Sequence, residues 1–200
     1  NVFQTITISR TFGEVSSSTS LLPTFAEKGA DVVVEELKTL KRKDLLRLFL
    51  ECAAPSDVSV TEGHWDGQNL DNNGVVMTSV SGFLTTLFGM GRTWNGKAFL
   101  TDKDGINRFN SKGDNVSIET EHRFDYSIRS SGLGDGTTTS LVLDYSPYQQ
   151  PFSLWKTMGD ELRVVPVKSG QVLIGLGLMG WSGGILNSSP FCLYRSNRTS

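Results

Sequence analysis

Between Val116 and Arg129 polar and apolar residues alternate almost without interruption. Val116, Ile118, Phe124, Tyr126 and Ile128 fall on one side, and Ser117, Glu119, Glu121, Arg123, Asp125, Ser127 and Arg129 on the other. Side chains on a strand switch faces at every residue, so this periodicity predicts a long β-strand with one dry and one wet face and excludes a helix. At about 3.3 Å per residue the run would extend on the order of 45 Å, which suits a coiled strand wrapped round a barrel. Thr120 and His122 interrupt the dry face. An unpaired polar group in a packed core costs roughly 1 to 3 kcal/mol, so the interruption predicts a hollow or hydrated interior at that level.

The same period organises most of the chain after Val58. Short alternating runs near 62–68, 75–81, 92–101, 106–110, 115–129, 138–145, 152–156, 161–167, 171–179 and 190–195 are separated by clusters of Gly, Asn and Asp. Asp102 to Gly105, Ser111 to Asp114, Gly132 to Gly136, Gly159-Asp160 and Lys168 to Gly170 read as turns. Many short strands joined by hairpin turns predict a mainly β fold, an antiparallel calycin-like barrel. The apolar stretch Val80 to Phe88 is open to a second reading, as a helix at the barrel mouth instead of strand.

Before Val58 the period changes. Val33, Leu37 and Leu40, then Leu45, Leu48, Phe49 and Cys52, recur at helical spacing, with Asp31 placed to cap the first turn and Pro55 to stop the last. One bent helix or two short ones over 31–54 would present an apolar stripe to the barrel. Residues 1–25 read as an extended arm, with a flexible Ser16 to Ser20 stretch ending at Pro23, and 26–200 as a single barrel domain. The first residue is not Met, which leaves room for a removed targeting segment.

Composition narrows the function classes. Nineteen basic and 21 acidic residues give a net charge of -2, and Lys38, Lys41, Arg42 and Lys43 stand among acidic neighbours as a solvated helix face, so no footprint for nucleic acid is expected. No apolar run is long enough to span a bilayer as a helix, leaving at most a peripheral membrane association. Cys52 and Cys192 are too few for a disulfide framework and are expected as buried free thiols.

Several motifs invite a catalytic reading and fail on context. Gly180-Trp181-Ser182-Gly183-Gly184 matches GxSxG, but both histidines, His64 and His122, precede it and loop composition follows it. Gly175 to Gly180 matches GxGxxG without the helix and later acidic residue that dinucleotide binding needs. Asp102 to Asn107 lacks the closing Glu of a calcium loop, and a solitary His122 makes no metal site. Glu119 and Glu121 fall on the face opposite His122, so an enzyme built on that histidine is disfavoured and no catalytic residue or cofactor is assigned.

Gly63-His64-Trp65-Asp66-Gly67 is a GxWxG motif. It is followed in order by Trp94-Asn95-Gly96-Lys97-Ala98-Phe99, Asn107, Asp144-Tyr145, Gln150-Pro151, Asp160-Glu161, Val172 to Gly175 and Phe191 to Arg195. Over roughly residues 45–195 this series resembles the GxWxG domain family together with the uncharacterised β-domain that usually follows it. The resemblance implies a small lipocalin-like barrel without established activity, with Trp65, Gly67, Trp94, Gly96, Lys97 and Asn107 at its signature positions.

Two functions are consistent with this reading. The first is a structural scaffold subunit, tied to other protein subunits through the arm and the loop at 68–93; if the missing Met reflects import, a plastid complex such as an algal photosynthetic antenna assembly would fit. The second is a carrier for a lipid, pigment or fatty acid, for which Trp65, Trp94, Lys97, Phe99, His122, Phe124 and Trp155 are the candidate ligand-binding residues.

Overall fold

The computed structural model describes residues 20–70, 93–101, 103–110, 123–133, 138–152, 154–179 and 188–195 of the 200-residue chain. The alternating runs form eight strands: β1 (Gly63–Asn69), β2 (Thr93–Phe99), β3 (Asp104–Asn110), β4 (Arg123–Ser130), β5 (Thr139–Asp144), β6 (Met158–Val165), β7 (Gln171–Met179) and β8 (Ser189–Arg195). Each pairs antiparallel with the next, and β8 returns to β1 with Gly67 opposite Leu193, closing the barrel. Closure leaves no unpaired sheet edge, and a barrel of this strand number is narrow enough for side chains to fill.

The interior follows from the alternation. Trp65, Phe99, Phe124, Tyr126, Leu141, Leu143, Leu162, Leu173 and Leu193 form one buried cluster inside the barrel. Val165, Val172, Ile174, Leu176 and Cys192 form the barrel's part of a second cluster with the helices. The wall at β6, β7 and β8 is therefore apolar on both faces, which is why Val172 to Leu178 reads as a nearly continuous hydrophobic run.

Three helices cover that wall: α1 (Leu22–Ala26), α2 (Ala30–Thr39) and α3 (Arg42–Glu51). Their stripe of Phe25, Val33, Val34, Leu37, Leu45, Leu48 and Phe49 is fully buried. Backbone bonds stitch this layer to the barrel, with Val164 N donating to Ala53 O, Ala30 N to Ser169 O and Lys168 N to Lys28 O. Arg163, 1% exposed, points outward from β6 and donates to the carbonyls of Phe49, Leu50 and Cys52, so it caps the end of α3. Among the described residues no helix is long and apolar enough to cross a membrane.

Several expectations change in detail. The β4 strand begins at Arg123, and the first half of the alternating run, with Thr120 and His122, lies outside the described residues, as do the runs at 75–81 and 80–88 and the Ser182 motif. Leu22 to Phe25, placed in the arm on sequence, belong to α1 (Leu22–Ala26). Asp31 does not cap α2: Gly29 is the N-cap, and Asp31 lies in the first turn. Arg42 is no solvated residue, since it is 8% exposed and donates to Ser188 O. Where a strand is expected over 152–156, Leu154–Thr157 form a 3-10 turn, and β6 meets β5 only from Gly159 onward.

The remaining correction concerns chemistry. Gly159-Asp160, a turn by composition, lies inside β6, where Asp160 pairs with Leu143 of β5 and Gly177 of β7. A Gly-Asp dipeptide favours turns through local hydrogen bonds of the Asp side chain, but here that carboxylate has a distant partner.

Candidate functional site

That partner is Lys97. Its Nζ lies 2.7 Å from Asp160 Oδ2, and both side chains are 2% exposed. The ammonium donates to two further acceptors at 2.7 Å, Asn107 Oδ1 and Tyr145 Oη. Tyr145 in turn donates to Asp160 Oδ2 at 2.7 Å and accepts from Asn107 Nδ2 at 3.0 Å. Trp94 Nε1 closes the set by donating to Asn107 Oδ1 at 3.1 Å. All three ammonium hydrogens are thereby used, inside an otherwise apolar barrel.

Aromatic rings enclose the cation. Lys97 Nζ stands 5.7 Å from the Trp94 ring centre, 5.3 Å from Phe124, 5.4 Å from Tyr145 and 5.4 Å from Phe191. Burial pushes the Lys97 ammonium below its ordinary range, against the charge and hydrogen bond of Asp160. Burial, with the Asp160 charge added, raises the Tyr145 hydroxyl well above its ordinary value, so it stays protonated as a donor.

Local sequence explains how β2 delivers both Trp94 and Lys97. Residues three apart on a regular strand face opposite ways, yet a register shift between Trp94 and Gly96 against β3 resets the alternation. Gly96 carries the bulge at φ 137°, where an added Cβ would lie 2.1 Å from Trp65 O. Gly67 has the same constraint from the ring side: its Cβ would lie 2.5 Å from the Trp94 ring. The last glycine of GxWxG thus makes room for the indole that braces Asn107.

Trp65 stands across from Lys97 in the register of β1 and β2, and its ring turns toward Thr61 and Arg195. Its Nε1 donates to Thr61 O at 2.6 Å, and the Arg195 guanidinium stacks 4.1 Å from its ring centre while donating to Thr61 O and His64 O. This seals the lower end of the barrel, where the short β2–β3, β4–β5 and β6–β7 hairpins lie. The other end, with the Lys97 cluster nearer to it, is where the longer connections leave: 70–92, 111–122, 145–157 and 180–188. Half-buried Trp94 and Met158 stand between the cluster and that rim.

Of the residues expected to meet a ligand, Trp94, Lys97 and Phe124 come together around one point. Phe99 and Trp65 belong to the filled lower interior, Phe99 edge-on to Phe124 at 5.6 Å and to Tyr126 at 4.9 Å. His122 and the side chain of Trp155 lie outside the described residues. The sequence reading gave no site role to Tyr145 and Asp160; the available signal was that a lysine on an inward strand position requires a buried counter-charge. Cys52 and Cys192 are free and buried, and burial pushes each thiol up to about 12. Among the described residues no group of three His, Cys, Asp or Glu side chains is placed to hold a metal ion.

No family model matches the chain. No curated protein matches it either. A crystal structure of a protein from Thermomonospora curvata is similar in fold, with a TM-score of 0.58 and 18% identity over 83% of this chain and 95% of that one. At that identity the likeness establishes the fold alone, a mainly β structure with a closed eight-stranded antiparallel barrel.

Proposed function

We propose that the protein is a non-catalytic, calycin-like binding module that holds an apolar small molecule at the upper end of its barrel, over the Lys97 cluster. The observation that supports this is the desolvated Lys97–Asp160 pair itself. Moving two charges out of water costs several kcal/mol per ion, and well-packed apolar residues are often at least as stable in their place. The interior below the cluster is filled in that cheaper way, with Leu141, Leu162 and Leu173. Polar groups beneath an aromatic layer, close to the rim from which the long connections leave, are the arrangement that small-molecule sites use. The ordered series from GxWxG to Phe191–Arg195, which resembles a small lipocalin-like family, supports the same reading.

The scaffold reading has one observation in its favour: Phe152, on the connection across the same rim, is 99% exposed. Tyr148 on the same connection is also exposed but is held by Asp125 and Arg123, and scattered exposed aromatics are common on protein surfaces, so we rank this reading second. Two indoles in different surroundings separate the alternatives: Trp94 donates to Asn107 Oδ1 in the cluster, and Trp65 donates to Thr61 O under the Arg195 guanidinium. In proton–nitrogen spectra of the labelled full chain, decan-1-ol is expected to shift the Trp94 indole resonance and leave that of Trp65 in place. Equal small shifts of both, or none, would remove the binding reading.

A further inference from the structure

The same cluster limits the charge of its ligand. We infer that the barrel takes an uncharged apolar molecule, one bearing a hydroxyl, carbonyl or similar neutral group, and discriminates against both fatty-acid carboxylates and organic cations. This rests on the binding reading above and adds a prediction that can fail separately.

A buried lysine in a lipid-binding barrel would ordinarily suggest a carboxylate ligand. Here the lysine is already engaged. Its three hydrogens point to Asn107 Oδ1, Tyr145 Oη and Asp160 Oδ2, all at 2.7 Å, and Asp160 supplies the full counter-charge. The Trp94 indole hydrogen is spent as well, on Asn107 Oδ1, and one of the two Asn107 amide hydrogens goes to Tyr145 Oη. Among the described residues the other cation on the inward side, Arg195, sits over Trp65 with its hydrogens on Thr61 O, Glu62 O and His64 O. A carboxylate brought to the cluster would therefore lose its water shell, meet no uncommitted cation among the described residues, and stand near the Asp160 charge.

A cationic ligand fares no better. The ring faces that would receive it already surround Lys97 Nζ at 5.3 to 5.7 Å, and the ammonium would repel it. A neutral group escapes both penalties. It needs one hydrogen bond to a lone pair or hydroxyl at the edge of the network, and its apolar chain can lie against Trp94 and Met158.

A matched series tests this on the intact chain: decan-1-ol, decanoate and decyltrimethylammonium, each titrated while the Trp94 indole resonance is followed. Decan-1-ol is expected to bind at least about tenfold more tightly than either ion, a ratio equivalent to about 1.4 kcal/mol. Decanoate binding as tightly as the alcohol, with Trp94 shifted, would overturn the inference and leave the binding reading standing. No shift of Trp94 by any of the three would overturn the binding reading itself. In Asp160→Asn the ammonium loses its counter-charge, so the preference should swing toward decanoate by about tenfold or more. A folded Asp160→Asn chain with an unchanged ratio would also refute the inference, and the wild-type series stands whether or not that variant folds.

Discussion

Replacing Lys97 by Met tests the interior cluster at its centre. Met has nearly the length of the lysine stem and removes the charge and all three donors. Asn107 Oδ1 keeps the Trp94 indole, and Tyr145 Oη keeps the Asn107 amide, so neither is stranded. Asp160 keeps only the Tyr145 hydroxyl while remaining 2% exposed. The loss is therefore mainly that of a buried charge without its partner, about 3–5 kcal/mol, a large fraction of the stability of an ordinary domain. Urea unfolding of the variant against wild type at neutral pH reads this deficit directly. The double variant Lys97→Met/Asp160→Leu removes both charges and should recover most of the loss, to within about 2 kcal/mol of wild type. A single variant within about 1 kcal/mol of wild type, or a double variant as unstable as the sum of the singles, would refute the account of a mutually dependent buried pair.

Three further outcomes follow from other parts of the barrel. Trp65→Ala should cost about 3–5 kcal/mol in urea unfolding, because it empties the lower plug and removes the platform under Arg195; a loss below about 1 kcal/mol would contradict its role. Gly96→Ala should cost about 2–4 kcal/mol, since the left-handed backbone and the carbonyl of Trp65 both oppose a Cβ, and a melting temperature equal to wild type would contradict the bulge geometry. Burial holds the Cys192 thiol up to about 12 in the folded chain against 9.0 ordinarily, so the stability it contributes is complete below pH 9 and lost as pH rises toward 12. At about 1.4 kcal/mol per pH unit for one such group, Cys192→Ala should lose stability less steeply than wild type between pH 9.5 and 11. Identical slopes would mean that the thiol is not desolvated in the folded state.

Much of the barrel was legible because its wall obeys a two-residue period. β7 was readable over 171–179 residue for residue, and the bounds of β1, β2 and β8 fall within two residues of the sequence reading. The strand boundaries that moved did so where tertiary partners decide them. β6 starts at Met158 because its register with β5 places Gly159 opposite Asp144, although Gly159-Asp160 has the local chemistry of a turn. Arg42 looked solvated because its sequence neighbours are charged, whereas its guanidinium reaches Ser188 across the fold.

The site was only half visible for a similar reason. Trp94 and Lys97, three residues apart, belong to opposite faces on any regular strand, and only the bulge at Gly96 brings them together. Asp144-Tyr145 and Asp160-Glu161 stood in the sequence as family landmarks, but no local pattern separates the inward Tyr145 and Asp160 from Asp144, whose carboxylate accepts from Ser146 N, or from Glu161, which binds Ser131 and Gly132 outside the barrel. Which member of each pair faces inward depends on strand parity, and that is fixed by the register of the closed barrel.

Native mass spectrometry of the full chain, isolated gently from its own source, tests the central claim most directly. The account predicts a single chain carrying one additional neutral molecule of a few hundred daltons, released by Lys97→Met. A chain of bare mass, or one recovered only in a stoichiometric complex with other proteins and no small molecule, would contradict it.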